Sequence, residues 1–244
     1  MIKTPSPDNP TFTFTCHPTT SAFAVPYKTH LTTLSNRTST HPVNVTPRWI
    51  AVGALTFDAH DRILLIQRSA TDTMPNLWEI PGGGCDEEDA SILYSVAREL
   101  HEEAGLMAKV IGPQVNEGYT FPTRSGKIVC KYNFLVEVEE PEAGESNDGL
   151  NEDGGGKREL KVKLDPKEHQ NYVWATEEDV KNFRAGDVEL KFTSSGQYQV
   201  IVDAFVARRI LKVKEPEEAE GKIQAEKAVE TEEAERAVSE SRRG

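Results

Sequence analysis

Only three of the 244 residues are cysteine. Cys16, Cys85 and Cys130 stand far apart, so they form neither a CxxC metal pair nor the even-numbered set of a disulfide framework. Free thiols in a reducing compartment are the expectation. No stretch approaches the roughly 18 consecutive apolar residues of a membrane span. The opening MIKTPSPDNPTFTFTCHPTT also lacks the basic segment and apolar run of a signal peptide. A soluble cytoplasmic or nuclear protein is expected by default. Positive charge is scarce too: 28 Lys and Arg against 40 Asp and Glu leave a formal net charge of −12. That balance argues against nucleic acid or an anionic membrane as the main partner.

What is present falls into blocks. Residues 1–47 are rich in Thr, Ser and Pro and read as an amino-terminal extension, partly ordered at best. Within it, TFTFTC alternates like a strand and SAFAVPYKTHLTTL offers apolar side chains for packing on a neighbour. A domain over residues 48–212 follows. WIAVGALTF and RILLIQR, separated by the polar AHD, read as two strands of a hairpin. LWEI then enters the glycine-rich turn PGGG, where backbone of low steric demand is needed.

Asp89 is the expected N-cap of a helix over residues 90–104, which Gly105 stops; Ile92, Leu93, Val96, Ala97, Leu100 and Ala104 share one stripe. MAKVIGPQV, IVCKYNFLVEV, LKVKL and NYVWAT have strand character, and YTFPTRSGK is rich in turn residues. Thr176 with Asp179, and Ser194 with Gln197, open two later helices as capping boxes. An acidic, glycine-rich insertion at about residues 139–159 holds about half of the net negative charge and reads as disordered. Residues 213–244 form a charged tail without Phe, Tyr, Trp or Leu, which cannot build a core.

The chemistry concentrates in RELHEEAGL, residues 98–106. Glu99, Glu102 and Glu103 crowd the carboxyl end of the helix, where the macrodipole already carries negative charge. At spacings i, i+3 and i+4 their side chains leave the helix within roughly 100° of arc. Hard oxygen donors so clustered suit Mg²⁺ or Mn²⁺, which would remove the mutual repulsion. PGGG brings backbone close to the same place, and Arg98 has a planar fork able to fix a carboxylate or meet a phosphate. The bland alternative is an exposed acidic helix end.

From Gly84 to Leu106 the chain resembles the Nudix box, G-x5-E-x7-R-E-U-x-E-E-x-G-U with U apolar. Every defined position matches except the first glutamate, which is Ala90 here; Glu87, Glu88 and Asp89 lie just upstream. WIAVGALTF, RILLIQRS, LWEIPGGG and EHQNYVW resemble the MutT-like arrangement around that box, so the likeness spans roughly residues 48–211.

The resemblance implies a Nudix fold, of the α/β (α+β) class, with a mixed β-sheet sandwiched between α-helices. It implies a hydrolase that cleaves a diphosphate linkage with Mg²⁺, or Mn²⁺, as cofactor. Carried over position by position, it makes Glu99, Glu102, Glu103 and the carbonyl of Gly83 metal ligands. Arg98 orients Glu99, and the general base is Glu99, Glu103 or Glu168. The glutamate missing at 90 supports the arginine in the family, so metal binding should survive and rate suffer; Glu87 or Glu88 could substitute.

For substrate contacts the candidates are Arg68 for phosphate, and Tyr119 and Phe121 for stacking on a base. Each has an ordinary reading as well: a surface arginine and packing aromatics. The expected substrate is a small-molecule nucleotide. Nucleoside triphosphates, oxidised ones included, are preferred because the resemblance is closest to MutT-like members. ADP-ribose or a nucleotide sugar comes second, with Pro122 sixteen residues after Leu106 as the spacing that suggests it. Rival readings are a catalytically weak nucleotide-binding protein and an acidic interaction scaffold.

Overall fold

The computed structural model describes residues 11–37, 47–140 and 160–213. Most of the expected acidic insertion and most of the charged tail lie outside them. Two compact units are distinguished, residues 1–204 and 205–244. The described part of the second, residues 205–213, is helical.

The first unit is built on a mixed sheet. Its central strand is β7 (Ile128–Val138), the longest in the chain; β2 (Trp49–Thr56) runs parallel to it from Trp49 beside Val129 to Thr56 beside Val136. On the other edge of β7, β5 (Ala108–Gln114) and β6 (Tyr119–Pro122) pair antiparallel. β1 (Thr15–Cys16) adds parallel to β5. A second, antiparallel sheet has the order β4 (Trp78–Glu79), β3 (Ile63–Arg68), β8 (His169–Ala175). The α+β architecture expected for the family is present.

The period of two along β7 assigns its faces. Cys130, Tyr132, Phe134 and Val136 join one core with Ile92, Leu93, Val96, Ala97, Leu100 and Ala104 of helix α2 (Ile92–Ala104). The expected apolar stripe is thus the packed one. Each such Leu, Ile or Val contributes about 1.5–3 kcal/mol by leaving water. Lys131, Asn133 and Leu135 alternate with that set. On that side residues 195–204 form a helix that meets β6, where Tyr119 donates from its hydroxyl to Gln197 Oε1 at 3.3 Å. Gln197 N–H in turn donates to Ser194 Oγ, as the capping pattern suggested.

Three local expectations need correction. WIAVGALTF and RILLIQR do not form a hairpin: they enter different sheets, joined by a single bridge between Phe57 and Ile63. Both edges of β2 are already taken, one by β7 and the other by residues 81–85, through Val52 N–H to Gly83 O, Ala54 N–H to Pro81 O and Cys85 N–H to Ile50 O. LKVKL is not a strand. Leu160, Val162 and Leu164 pack on the core, while Lys163 N–H bonds the Ala104 carbonyl at the end of α2 instead of a strand. Helix α2 begins at Ile92 with Ser91 as N-cap, its hydroxyl accepting from Tyr94 N–H; Asp89 is engaged elsewhere.

The extension is more structured than its composition suggested. Residues Pro18–Phe23 form a 3-10 turn and Tyr27–Arg37 helix α1, and Phe12, Phe23 and Tyr27 enter the same core as β7. All three cysteines are free thiols. No helix among the described residues is long and apolar enough to cross a membrane.

Candidate active site

α2 stops where Gly105 turns to φ +67 and donates its N–H to the His101 carbonyl. A side chain there would meet Lys163, so glycine satisfies both the left-handed turn and the close approach. The stop leaves Glu99 and Glu103, one turn apart, facing the glycine segment. Gly82 N–H donates to Glu103 Oε2 at 2.6 Å. A Cβ on Gly82, whose φ is +149, would lie 2.2 Å from the Val52 carbonyl. On Gly83 it would lie 2.6 Å from Glu99 Oε2. The glycines are what allow two carboxylates and this backbone to share one small volume. The Gly83 carbonyl, expected to face a metal, also accepts from Val52 N–H and so keeps one further lone pair.

Burial shapes the charge state here. Glu99 is 9 % exposed and Glu103 6 %. Burial pushes the Glu99 carboxyl up to about 7; the charges of Glu102 and Glu168 add to this, and Arg98 opposes it. Glu103 is raised well above the usual carboxylate range, again by burial first, with Glu99 and Glu79 adding to it. Gly82 N–H and Lys131 pull the other way and do not prevail. Both side chains are carboxylates short of positive charge.

Arg98 is the hub beside them. Its Nη1 donates to Glu99 Oε1 (2.8 Å) and Glu102 Oε2 (2.9 Å), and its Nη2 to the Gly84 carbonyl (2.9 Å). The opposite edge grips Asp89: Nε to Oδ1 at 3.0 Å and Nη2 to Oδ2 at 2.9 Å. Ala90 is exposed, as are Glu87 and Glu88, and Glu87 pairs with Lys28. Neither glutamate weighed as a substitute meets Arg98. Asp89 does, and sequence spacing alone pointed to it only as a cap.

On the strand side a second charged group closes the site. Glu79, in β4, accepts from Arg68 Nη1 and lies 3.4 Å from His169 Nε2. Burial alone would raise Glu79, yet its pKa is lowered, because the His169 hydrogen bond and the charges of Lys131 and Arg68 outweigh burial. A charged carboxylate only accepts, so Nε2 carries the hydrogen, and His169 Nδ1 has no partner among the described residues. Nε2 also lies 3.9 Å from Glu103 Oε1. Glu103, Glu168 and His169 offer ligand atoms within 4.8 Å of one another. Glu168 sits in a turn fixed by bonds from Glu168 and His169 N–H to Asp165 O, and Ser69 N–H bonds the Glu168 carbonyl.

Arg68, expected at a phosphate, meets groups of the protein on each edge. Its guanidinium holds Glu79, Asp72, and both the carbonyl and the hydroxyl of Thr73. Tyr119 and Phe121 are half-buried, their ring centroids 5.9 Å apart, and the Tyr119 ring packs against Gly196. Sequence reasoning missed Glu79, Asp89 and Lys131. A glutamate in WEI and a lysine inside the largely apolar run of β7 are the signal that could have found two of them.

The family model of the NUDIX domain matches residues 47–195. The chain belongs to the Nudix family. It is a Nudix hydrolase, acting on pyrophosphate bonds. No curated protein matches it. Among solved structures it is similar to a MutT protein from Methanosarcina mazei Go1, with 26 % identity, TM-score 0.46, and coverage of 67 % of this chain and 96 % of that one. A C. elegans Ap4A hydrolase shows 21 % identity and TM-score 0.44 over 65 % of this chain and 98 % of the other. The NUDIX domain of Shewanella oneidensis NrtR, solved with ADP ribose, shows 21 % identity and TM-score 0.45 over 72 % and 97 %.

The residues present fit the divalent ion such a hydrolase uses. Two buried carboxylates are under-neutralised, a third carboxylate (Glu102) is half-exposed beside them, and a side chain on Gly83 would fill the space next to Glu99. All donors are hard oxygens.

Proposed function

We propose that the chain cleaves the diphosphate linkage of a nucleoside diphosphate derivative, with nucleoside triphosphates, oxidised ones included, preferred over ADP-ribose. Mg²⁺ or Mn²⁺ would be held by Glu99, Glu102, Glu103 and the second lone pair of the Gly83 carbonyl. Once bound, that ion supplies polarisation of phosphoryl oxygens and neutralisation of charge developing in the displacement.

The chain's own residues do the rest. Gly82 N–H fixes one oxygen of Glu103. Arg98 fixes one oxygen of Glu99 and one of Glu102, so the carboxylates arrive pre-oriented. Glu168, exposed on its turn beside Glu103, is the proposed general base, able to take a proton from water at its carboxylate. Arg68 is assigned to holding Glu79 rather than to phosphate. Tyr119 and Phe121 remain the candidates for contact with a base.

The observation that carries this reading is the placement of two buried carboxylates, Glu99 and Glu103, against the Gly82–Gly83 backbone with Glu168 and His169 beside Glu103. The rival reading of a catalytically weak binder drew on Ala90, and Asp89 on Arg98 removes much of its motive. The test is a substrate panel assayed with and without chelator. Release of a nucleoside monophosphate from some member, abolished by chelator, is expected; no turnover on any member would defeat the proposal.

A further inference from the structure

Arg98 has two working edges. One meets Glu99 and Glu102, and the other is held by Asp89 and nothing else of opposite charge at hydrogen-bond distance. Asp86, the remaining acid near it, lies 3.7 Å away with its side chain 66 % exposed. Asp89 is itself built into place: its side chain is 5 % exposed, Ser95 Oγ donates to its Oδ2 at 2.7 Å, and Asp86 N–H donates to the same oxygen at 3.0 Å. An aspartate so enclosed can shift only with the turn that carries it. A bidentate carboxylate fixes the plane of a guanidinium as well as its position. The plane of Arg98 in turn decides where its Nη1 hydrogens point, and hence where Glu99 and Glu102 sit.

We infer that Asp89 is a positioning residue which, through Arg98, presents Glu99 and Glu102 to the metal ion and makes an acid at position 90 unnecessary in this chain. The inference rests on the metal reading above. The reason the acid comes one residue early lies in the turn: residues 85–91 bend so that position 89 points inward while position 90 is exposed, and Ser91 then caps α2. A glutamate at 90, with one more methylene, can reach back to Arg98 from outside; the shorter aspartate at 89 starts from within.

The experiment is calorimetric titration of the full chain with Mn²⁺ alone, for wild type, Asp89→Ala, Asp89→Asn, Glu88→Ala and the double variant Asp89→Ala/Ala90→Glu. Thermal midpoints are measured in parallel. Losing a partner of a metal-orienting group costs about 10–100-fold in affinity, so Asp89→Ala should bind Mn²⁺ that much more weakly. Asp89→Asn, nearly isosteric, should fall between it and wild type, and serves if the alanine variant does not fold. Restoring an acid at 90 should recover most of the loss, which a purely structural role for Asp89 would not allow. Glu88→Ala should bind as wild type does. If wild type takes up no Mn²⁺, the metal reading itself fails. If wild type binds and the Asp89 variants bind equally well, only this inference fails; a loss that the acid at 90 does not recover, or an equal loss in Glu88→Ala, overturns it too.

Discussion

Two arginines, the buried Arg98 and the half-buried Arg68, each hold carboxylates, and the outcomes differ. Arg68 meets Glu79 with help from His169, and Glu79 is held below its ordinary pKa despite burial. Arg98 divides itself among Asp89, Glu99, Glu102 and a carbonyl. It satisfies Asp89, whose pKa is also lowered against burial, but not Glu99, which rises to about 7. Glu103 is raised well above its ordinary value too, burial outweighing the Gly82 N–H and Lys131. A carboxylate with enough positive charge around it is part of the scaffold. One without enough is a place where a cation binds with gain, since the desolvation cost has been met by the fold.

The largest expected effect is on turnover. Glu103→Gln should lower kcat by about 10³-fold, the equivalent of several kcal/mol of lost charge stabilisation. Its urea midpoint without metal should be unchanged or higher, because a strained buried carboxylate has gone. Glu102→Gln should likewise cost turnover without unfolding the domain. The scaffold side should behave in the opposite way: Glu79→Gln leaves Arg68 and His169 short of a partner and should destabilise by about 3 kcal/mol. If Glu79→Gln proved harmless to stability while Glu103→Gln unfolded the protein, the contrast between the two arginines would be wrong.

The comparison also sets a pH dependence. Glu99 binds its proton more tightly folded, at about 7, than at its ordinary value of 4.5. Between these limits the folded state holds more protons than the unfolded one, so stability falls as pH rises through that window and levels off above it. Glu103 acts in the same direction. Thermal midpoints of metal-free protein should therefore be lower at pH 8 than at pH 5. The rise in midpoint on adding Mg²⁺ should be larger at pH 8, where Glu99 is ionised without it. A metal-induced rise that is equal at both values would count against the charge deficit. Smaller still, Gly83→Ala should weaken Mn²⁺ binding about tenfold by pushing Glu99 aside, an order typical of disturbed metal surroundings. Tyr119→Phe should cost about 1 kcal/mol, one hydrogen bond to Gln197, measured by urea unfolding.

Much of this was legible in the chain. The α2 stripe, Gly105, the β7 run and the Thr176–Asp179 capping box are local patterns, and local patterns carry period and cap information directly. That WIAVGALTF and RILLIQR part into different sheets was not legible, because partner choice depends on which ladder edge is free, and residues 81–85 take the edge of β2. LKVKL misled for a related reason: alternation shows which side chains are buried, not whether a strand lies alongside. The surroundings of Arg68 were not legible either, because its charge is visible in sequence and its four partners are not.

By itself, then, the order of residues determined the family, the acidic end of α2 and the glycines that face it, since each follows from spacing along one element. Tertiary structure alone decided which acids are neutralised and which are left wanting. That depends on burial and on distances between α2, the turn before it, β4 and β8, elements far apart in sequence. Asp89 shows the division best: one residue upstream of an empty motif position, it looks like a helix cap until the turn folds it onto Arg98.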